Sequence, residues 1–206
     1  QGRRGLTLEQ IIKRSEVITA GIDGGGLDDL LGLAVVGRDA ESGEWLGWMH
    51  AWAHPSVLER RKEIAPALRD FARDGHLTLV NRIGEDVEEL AGYIAQIEQY
   101  DLLDKAGLDP AGVGTILDSL VSAEVPQEKV IGISQGWKLG GAIKTTERKL
   151  AEGVLVHDGS PMMAWCVGNA RVEPKGNAIL ITKQASGSAK IDPLMALFNA
   201  VQLMAL

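Results

Sequence analysis

Residues 16–54 consist of three apolar runs joined by two short connections. The runs are "EVITAGID" (16–23), "LLGLAVVGRD" (30–39) and "EWLGWMHAWAH" (44–54), and the connections are "GGGLDD" and a turn centred on "ESG". Parallel strands need a crossover of a dozen residues or more, so linkers this short allow only antiparallel neighbours. The segment therefore predicts a three-strand meander.

The pattern then changes. Residues 55–75 predict a helix with Ile64, Leu68 and Phe71 on one face, broken or restarted at Pro66. Residues 76–81 predict a short strand or an extended loop. Residues 84–107 predict one long amphipathic helix striped by Val87, Leu90, Ala91, Ile94 and Ile97. "AGVGTILD" (111–118) and "KVIGIS" (129–134) predict strands. Residues 137–153 predict a helix with a glycine C-cap, residues 170–183 a hairpin turning at "PKGN", and residues 191–206 a final helix with Asp192 as N-cap and Pro193 as N1. A polar helix or tail covers about residues 7–15. A meander followed by βα units gives an α/β fold with a mixed sheet and helices on both faces. This order matches the RNase H-like architecture.

Composition excludes several classes. Hydrophobic residues make up 45% of the 206, too many for a disordered chain. No apolar run is long enough to span a bilayer, and no membrane partner is expected. Cys166 is the single cysteine, so no internal disulfide forms. His50, His54, His76 and His157 lack a paired spacing for zinc. The first residue is not Met, as expected of a fragment with its upstream part removed. The net charge of −7 is uneven: residues 1–122 carry 12 basic and 21 acidic side chains (−9), residues 123–206 carry 9 and 7 (+2). This distribution fits a basic surface for nucleic acid on the C-terminal third, and equally a solvated mixed surface; Lys138, Lys144, Arg148, Lys149, Arg171 and Lys175 are the candidates for DNA contact.

Three aspartates stand at the edges of apolar segments: Asp23 after "VITAGI", Asp118 after "VGTIL", and Asp192 at the start of the last helix. Converging carboxylates repel one another and are stable when a divalent cation neutralises them. Oxygen ligands suit Mg²⁺ or Mn²⁺, and two such ions clamp both the attacking and leaving oxygens of a phosphodiester. Each acid also has a plain structural reading, as a strand end, a turn or a helix cap. Asp28 and Asp29 lie across the glycine turn from Asp23, as an outer ligand or as a solvated turn.

The ordered set of motifs resembles the C-terminal nuclease domain of the large terminase subunit of tailed bacteriophages, in particular the HK97-like branch. The pieces are "GIDGGGLDDLLGLAVV", "DGHLTLVNRIGEDVEELAGYI", "VGTILDSL", the segment from "GWKLGG" through "ITK" (136–183), and "KIDPLMALFNAV". The resemblance implies residues 1–15 as an N-terminal tail or linker helix and residues 16–206 as one RNase H-like nuclease domain. It further implies Asp23, Asp118 and Asp192 as ligands of two Mg²⁺ or Mn²⁺ ions, and Lys183 as a catalytic residue facing the scissile phosphate or as a charge that holds the carboxylate cluster together. His157 and Asn169 fall on family positions. The implied activity is cleavage of concatemeric double-stranded DNA in the host cytoplasm. The implied partners are the terminase ATPase domain, the small terminase subunit and the portal protein. No G-x-x-x-x-G-K-[ST] motif is present, so no ATPase activity is expected. Two other readings stand beside this one. "GIDGGG" also resembles the first phosphate loop of sugar-kinase and acetate-kinase-like ATPases, although Leu27 replaces the usual Thr. A non-catalytic RNase H-like docking module is the third.

Overall fold

The computed structural model describes residues 5–183 and 189–206, the side chains of residues 112 and 113 aside. Helix α1 (Leu8–Arg14) opens with a capping box, in which the Gln10 amide donates to the Thr7 hydroxyl and the Thr7 amide to the Gln10 side chain. The meander follows as β1 (Ser15–Gly24), β2 (Leu31–Asp39) and β3 (Trp45–Ala53), paired antiparallel with Gly21 opposite Ala34 and Val36 opposite Gly47. The chain continues through α2 (Pro55–Arg60), α3 (Ala65–Arg73), β4 (Leu77–Leu79), α4 (Glu85–Glu98), β5 (Leu103–Leu108), α5 (Val113–Ser122), β6 (Val130–Gly132), α6 (Gly140–Ala151), β7 (Leu155–His157) and α7 (Pro161–Asn169). The hairpin β8 (Ala170–Lys175) and β9 (Ala178–Lys183) precedes α8 (Asp192–Met204).

The main sheet runs β4-β3-β2-β1-β5-β6, and β7 also pairs with β3. Within this sheet β1–β2 and β2–β3 are antiparallel, and β1–β5, β5–β6, β3–β4 and β3–β7 are parallel. Both faces are covered, which is why the strands read as continuous apolar runs. Ile18, Ala20, Ile22, Leu33 and Val35 pack with α1, α4 and α5 on one face. Ala34, Val36 and Met49 pack with α3, α6, α7 and α8 on the other.

Helix α8 crosses β1 and β2 at very short range because glycines leave room for it. A Cβ on Gly21 would lie 1.9 Å from the Ala196 carbonyl, and one on Gly32 would lie 2.7 Å from the Pro193 nitrogen. The Thr19 hydroxyl donates to the Ala200 carbonyl at 2.9 Å. Leu194, Leu197, Phe198, Val201 and Leu203 of α8 are buried, each contributing about 1.5–3 kcal/mol of apolar burial.

Four expectations need correction. The helix predicted for 84–107 stops at Glu98; Asp101 then takes a left-handed conformation (φ 56) and β5 begins at Leu103. The apolar spacing of Leu102, Leu103 and Ala106 imitates a continuing stripe, but these residues belong to a short strand buried between β1 and β6. "AGVGTILD" is not a strand. It enters α5, with Ile116 and Leu120 buried four residues apart and Asp118 exposed. The place beside β1 is already taken by β5, and the Asp109 carboxylate turns the chain into the helix by accepting from the Ala111 amide at 2.9 Å. β7 and α7 occupy a stretch for which the pattern predicts no element. Asp192 is the first residue of α8 and not its N-cap, a place held by Ile191 without any side-chain cap bond. The hairpin turns at Gly176, as predicted.

Candidate functional site

Alternation along β1 sends Ile18, Ala20 and Ile22 to one face and Thr19, Gly21 and Asp23 to the face on which α8 lies. Asp23 therefore ends β1 beside the start of α8. A Cβ on Gly24 would come within 3.0 Å of Asp192 Oδ1. β5 runs parallel to β1 with Leu108 opposite Ile22, so the next residue, Asp109, ends its strand beside Asp23. The chain thus brings three carboxylates to one end of the sheet: Asp23, Asp109 and Asp192.

The electrostatics agree with this placement. The Asp23 pKa is pushed up to about 8, first by burial, then by the negative charges of Asp192 and Asp109, with Lys183 pulling it back. The Asp192 pKa is raised to about 6, chiefly by burial, with Lys183 opposing. Asp192 is 4% exposed and its Oδ2 has no hydrogen-bond partner. A buried carboxylate oxygen without a donor is costly, and carboxylates gathered at one place ask for a cation between them. Among the described residues no three His, Cys, Asp or Glu side chains stand close enough, as placed, to hold an ion. The donor set is nevertheless all oxygen, which suits a hard divalent cation.

Asp118 departs from expectation. It lies exposed on α5 and is not among the charges that weigh most on Asp23. Asp109 stands where the sequence placed Asp118. Its signal was present in "KAGLDP", an apolar run closed by Asp and followed by Pro.

Lys183 ends β9 and reaches Asp29 Oδ1 at 3.4 Å. The buried Lys190 donates to the same oxygen at 2.6 Å and to the Asp28 carbonyl at 2.6 Å. These two cations hold the Asp29 pKa below its ordinary value against the effect of burial. Asp28 faces Arg61, which donates to both of its carboxylate oxygens at 3.3 and 2.5 Å. Both acids of the glycine turn are thus neutralised by protein cations. Asn169 donates to the Lys190 carbonyl at 3.1 Å, steadying the approach to α8. His157 is half-buried, its Nδ1 accepting from the Gly159 amide at 3.1 Å, and burial lowers its pKa. Of the basic candidates, Lys138, Lys144, Arg171 and Lys175 are exposed. Arg148 pairs with Glu152, and Lys149 lies over the Trp45 ring at 4.1 Å.

A family model described as "Terminase large subunit, endonuclease domain" matches residues 74–206. The chain superposes on the crystal structure of the HK97 bacteriophage large terminase with a TM-score of 0.75 at 21% identity, covering 98% of this chain and 43% of that one. It therefore spans less than half of that protein. The large terminase nuclease of thermophilic phage G20c with bound magnesium matches at TM-score 0.54 and 14% identity, covering 90% and 80% of the two chains. The nuclease domain of the bacteriophage SPP1 large terminase with bound Mn matches at 0.52 and 15%, covering 99% and 96%. These likenesses establish the RNase H-like fold. No curated protein sequence matches. Among the described residues no helix is long and apolar enough to cross a membrane.

Proposed function

Because the chain belongs to the family of terminase large-subunit endonuclease domains, we propose that it cuts double-stranded DNA by metal-dependent phosphodiester hydrolysis, with Asp23, Asp109 and Asp192 as the ligands of two Mg²⁺ or Mn²⁺ ions. The observation that carries this reading is the meeting of Asp23 with the buried Asp192, whose Oδ2 has no hydrogen-bond partner, at the end of β1. Magnesium and manganese in the G20c and SPP1 structures support the choice of metal. Bound there, divalent cations supply Lewis acidity that makes an attacking water more acidic and steadies charge on the phosphate oxygens.

The chain's own side chains do the rest. The three carboxylates arise from separate rigid elements, so their geometry is set by the sheet and by α8. Lys183, exposed at the end of β9, offers a point charge to a phosphate oxygen. Lys190 and Arg61 neutralise Asp29 and Asp28 and so keep the glycine turn in place beside Asp23. The exposed basic residues of the C-terminal third contact the DNA backbone, which makes affinity salt-dependent. The substrate is concatemeric viral DNA in the host cytoplasm, and the partners are the ATPase domain, the small subunit and the portal protein.

Plasmid cleavage by this chain in Mn²⁺ or Mg²⁺, set against EDTA, tests the proposal. Cleavage that survives EDTA, or that Asp23→Asn and Asp192→Asn leave at the parent rate, ends it.

A further inference from the structure

We propose that the cavity beside Asp23 receives a nucleobase, unstacked from the strand being cut; this rests on the nuclease reading above. The cavity, about 460 Å³, is bounded by the glycine turn Gly24–Gly26 and by the first turns of α4 and α5. Its rim carries Leu27 and Ile83, large apolar side chains that are 44% and 76% exposed. Val87 and Ile116 form its apolar wall. His54 and Asp86 also line it and are 8% and 5% exposed. Their nearest atoms, His54 Nε2 and Asp86 Oδ2, are 3.6 Å apart, too far for a hydrogen bond. Neither side chain has any other partner among the described residues. The two side chains form a loose ion pair and line a single cavity, so each offers a polar edge to a ligand there.

The lining decides the ligand class. A phosphate fits poorly, because the Asp86 carboxylate is among the lining residues and no Lys or Arg is. A flat, uncharged body with donor and acceptor along one edge fits well. Its faces meet Leu27 and Ile83, and its edge meets His54 and Asp86. Glycines at 24–26 leave backbone alone on that side, so a strand approaches closely. Gly24 directly follows Asp23, so the base belongs to a nucleotide adjoining the cut phosphodiester.

The test compares two fluorescently labelled single-stranded oligonucleotides of equal length, one with bases and one wholly abasic. Each is bound to the full chain at low salt in EDTA and followed by anisotropy. The base-bearing strand binds at least about fivefold more tightly, the scale of one stacked base. Leu27→Ser and Ile83→Ser, at exposed positions that spare the fold, remove that advantage and leave the abasic affinity unchanged. The His54 ring resonances shift with the base-bearing strand only. Equal affinities, or an advantage that both variants retain, overturn the assignment of the cavity. Manganese-dependent plasmid cleavage on the same preparation reports separately on the nuclease reading: cleavage without base preference removes this inference alone, and failure both to bind and to cleave removes both.

Discussion

Asn199 donates its side-chain amide to the Ile22 carbonyl at 2.9 Å, tying the middle of α8 to the residue just before Asp23. The same side chain accepts from Gln135 at 3.0 Å and is wholly buried. One amide thereby holds together the helix that begins with Asp192 and the strand that ends with Asp23. Asn199→Leu keeps the volume and removes both bonds. It is expected to lower stability by about 1–3 kcal/mol, the cost of leaving buried partners unmet, in urea unfolding. An unchanged midpoint would show that the bonds contribute nothing net.

Gly21 sets how close α8 comes to the sheet. Gly21→Ala places a methyl 1.9 Å from the Ala196 carbonyl, and a backbone atom does not move aside cheaply. The variant is expected to lose roughly 1–3 kcal/mol or more, as overpacked sites do, and to lose metal-dependent cleavage with it, since α8 carries Asp192. Full stability in thermal unfolding contradicts the close packing described here.

Asp109 and Asp118 make opposite forecasts. Asp109→Asn is expected to reduce manganese-dependent plasmid cleavage by at least about a hundredfold, the upper range for lost metal-site partners. Asp118→Asn, at an exposed helical position, is expected to cut at the parent rate within about twofold. Reversed results return the assignment to Asp118.

His50 links stability to pH. Burial, and then the charge of His76, lower its pKa from 6.5 to about 4, and its Nε2 lies 2.9 Å from the Thr78 hydroxyl. The folded chain keeps the ring neutral while the unfolded chain takes up a proton below about pH 6.5. Its contribution is therefore whole above that pH and is lost as pH falls toward about 4. Urea midpoints at pH 7 and pH 5 should differ more for the parent than for His50→Gln. Equal differences exclude His50 as the source.

The meander and the meeting of Asp23 with Asp192 were legible because apolar runs with short turns leave little choice of pairing, and because both acids interrupt such runs. Asp109 was hidden by local imitation. The spacing of Ile94, Ile97, Leu102 and Ala106 extends a helical stripe past the point where Asp101 ends it. "VGTILD" likewise imitates a buried strand, while its Ile116–Leu120 spacing belongs to a helix. In both cases a neighbour settled the matter: only one segment fits beside β1, and β5 occupies it. The His54–Asp86 pair left no trace in sequence spacing, since it spans β3's end and α4 and exists only after packing.

The sheet order brings β1 against β5, and α8 then lies across β1. Residues 23, 109 and 192 thus meet only through contacts that are distant along the chain, which form slowly and late. A nascent polypeptide on the ribosome exposes the first two carboxylates before the third has been synthesised. On the proposed mechanism such an unfinished chain is inert toward nearby DNA, and the nuclease is armed only when tertiary structure is complete.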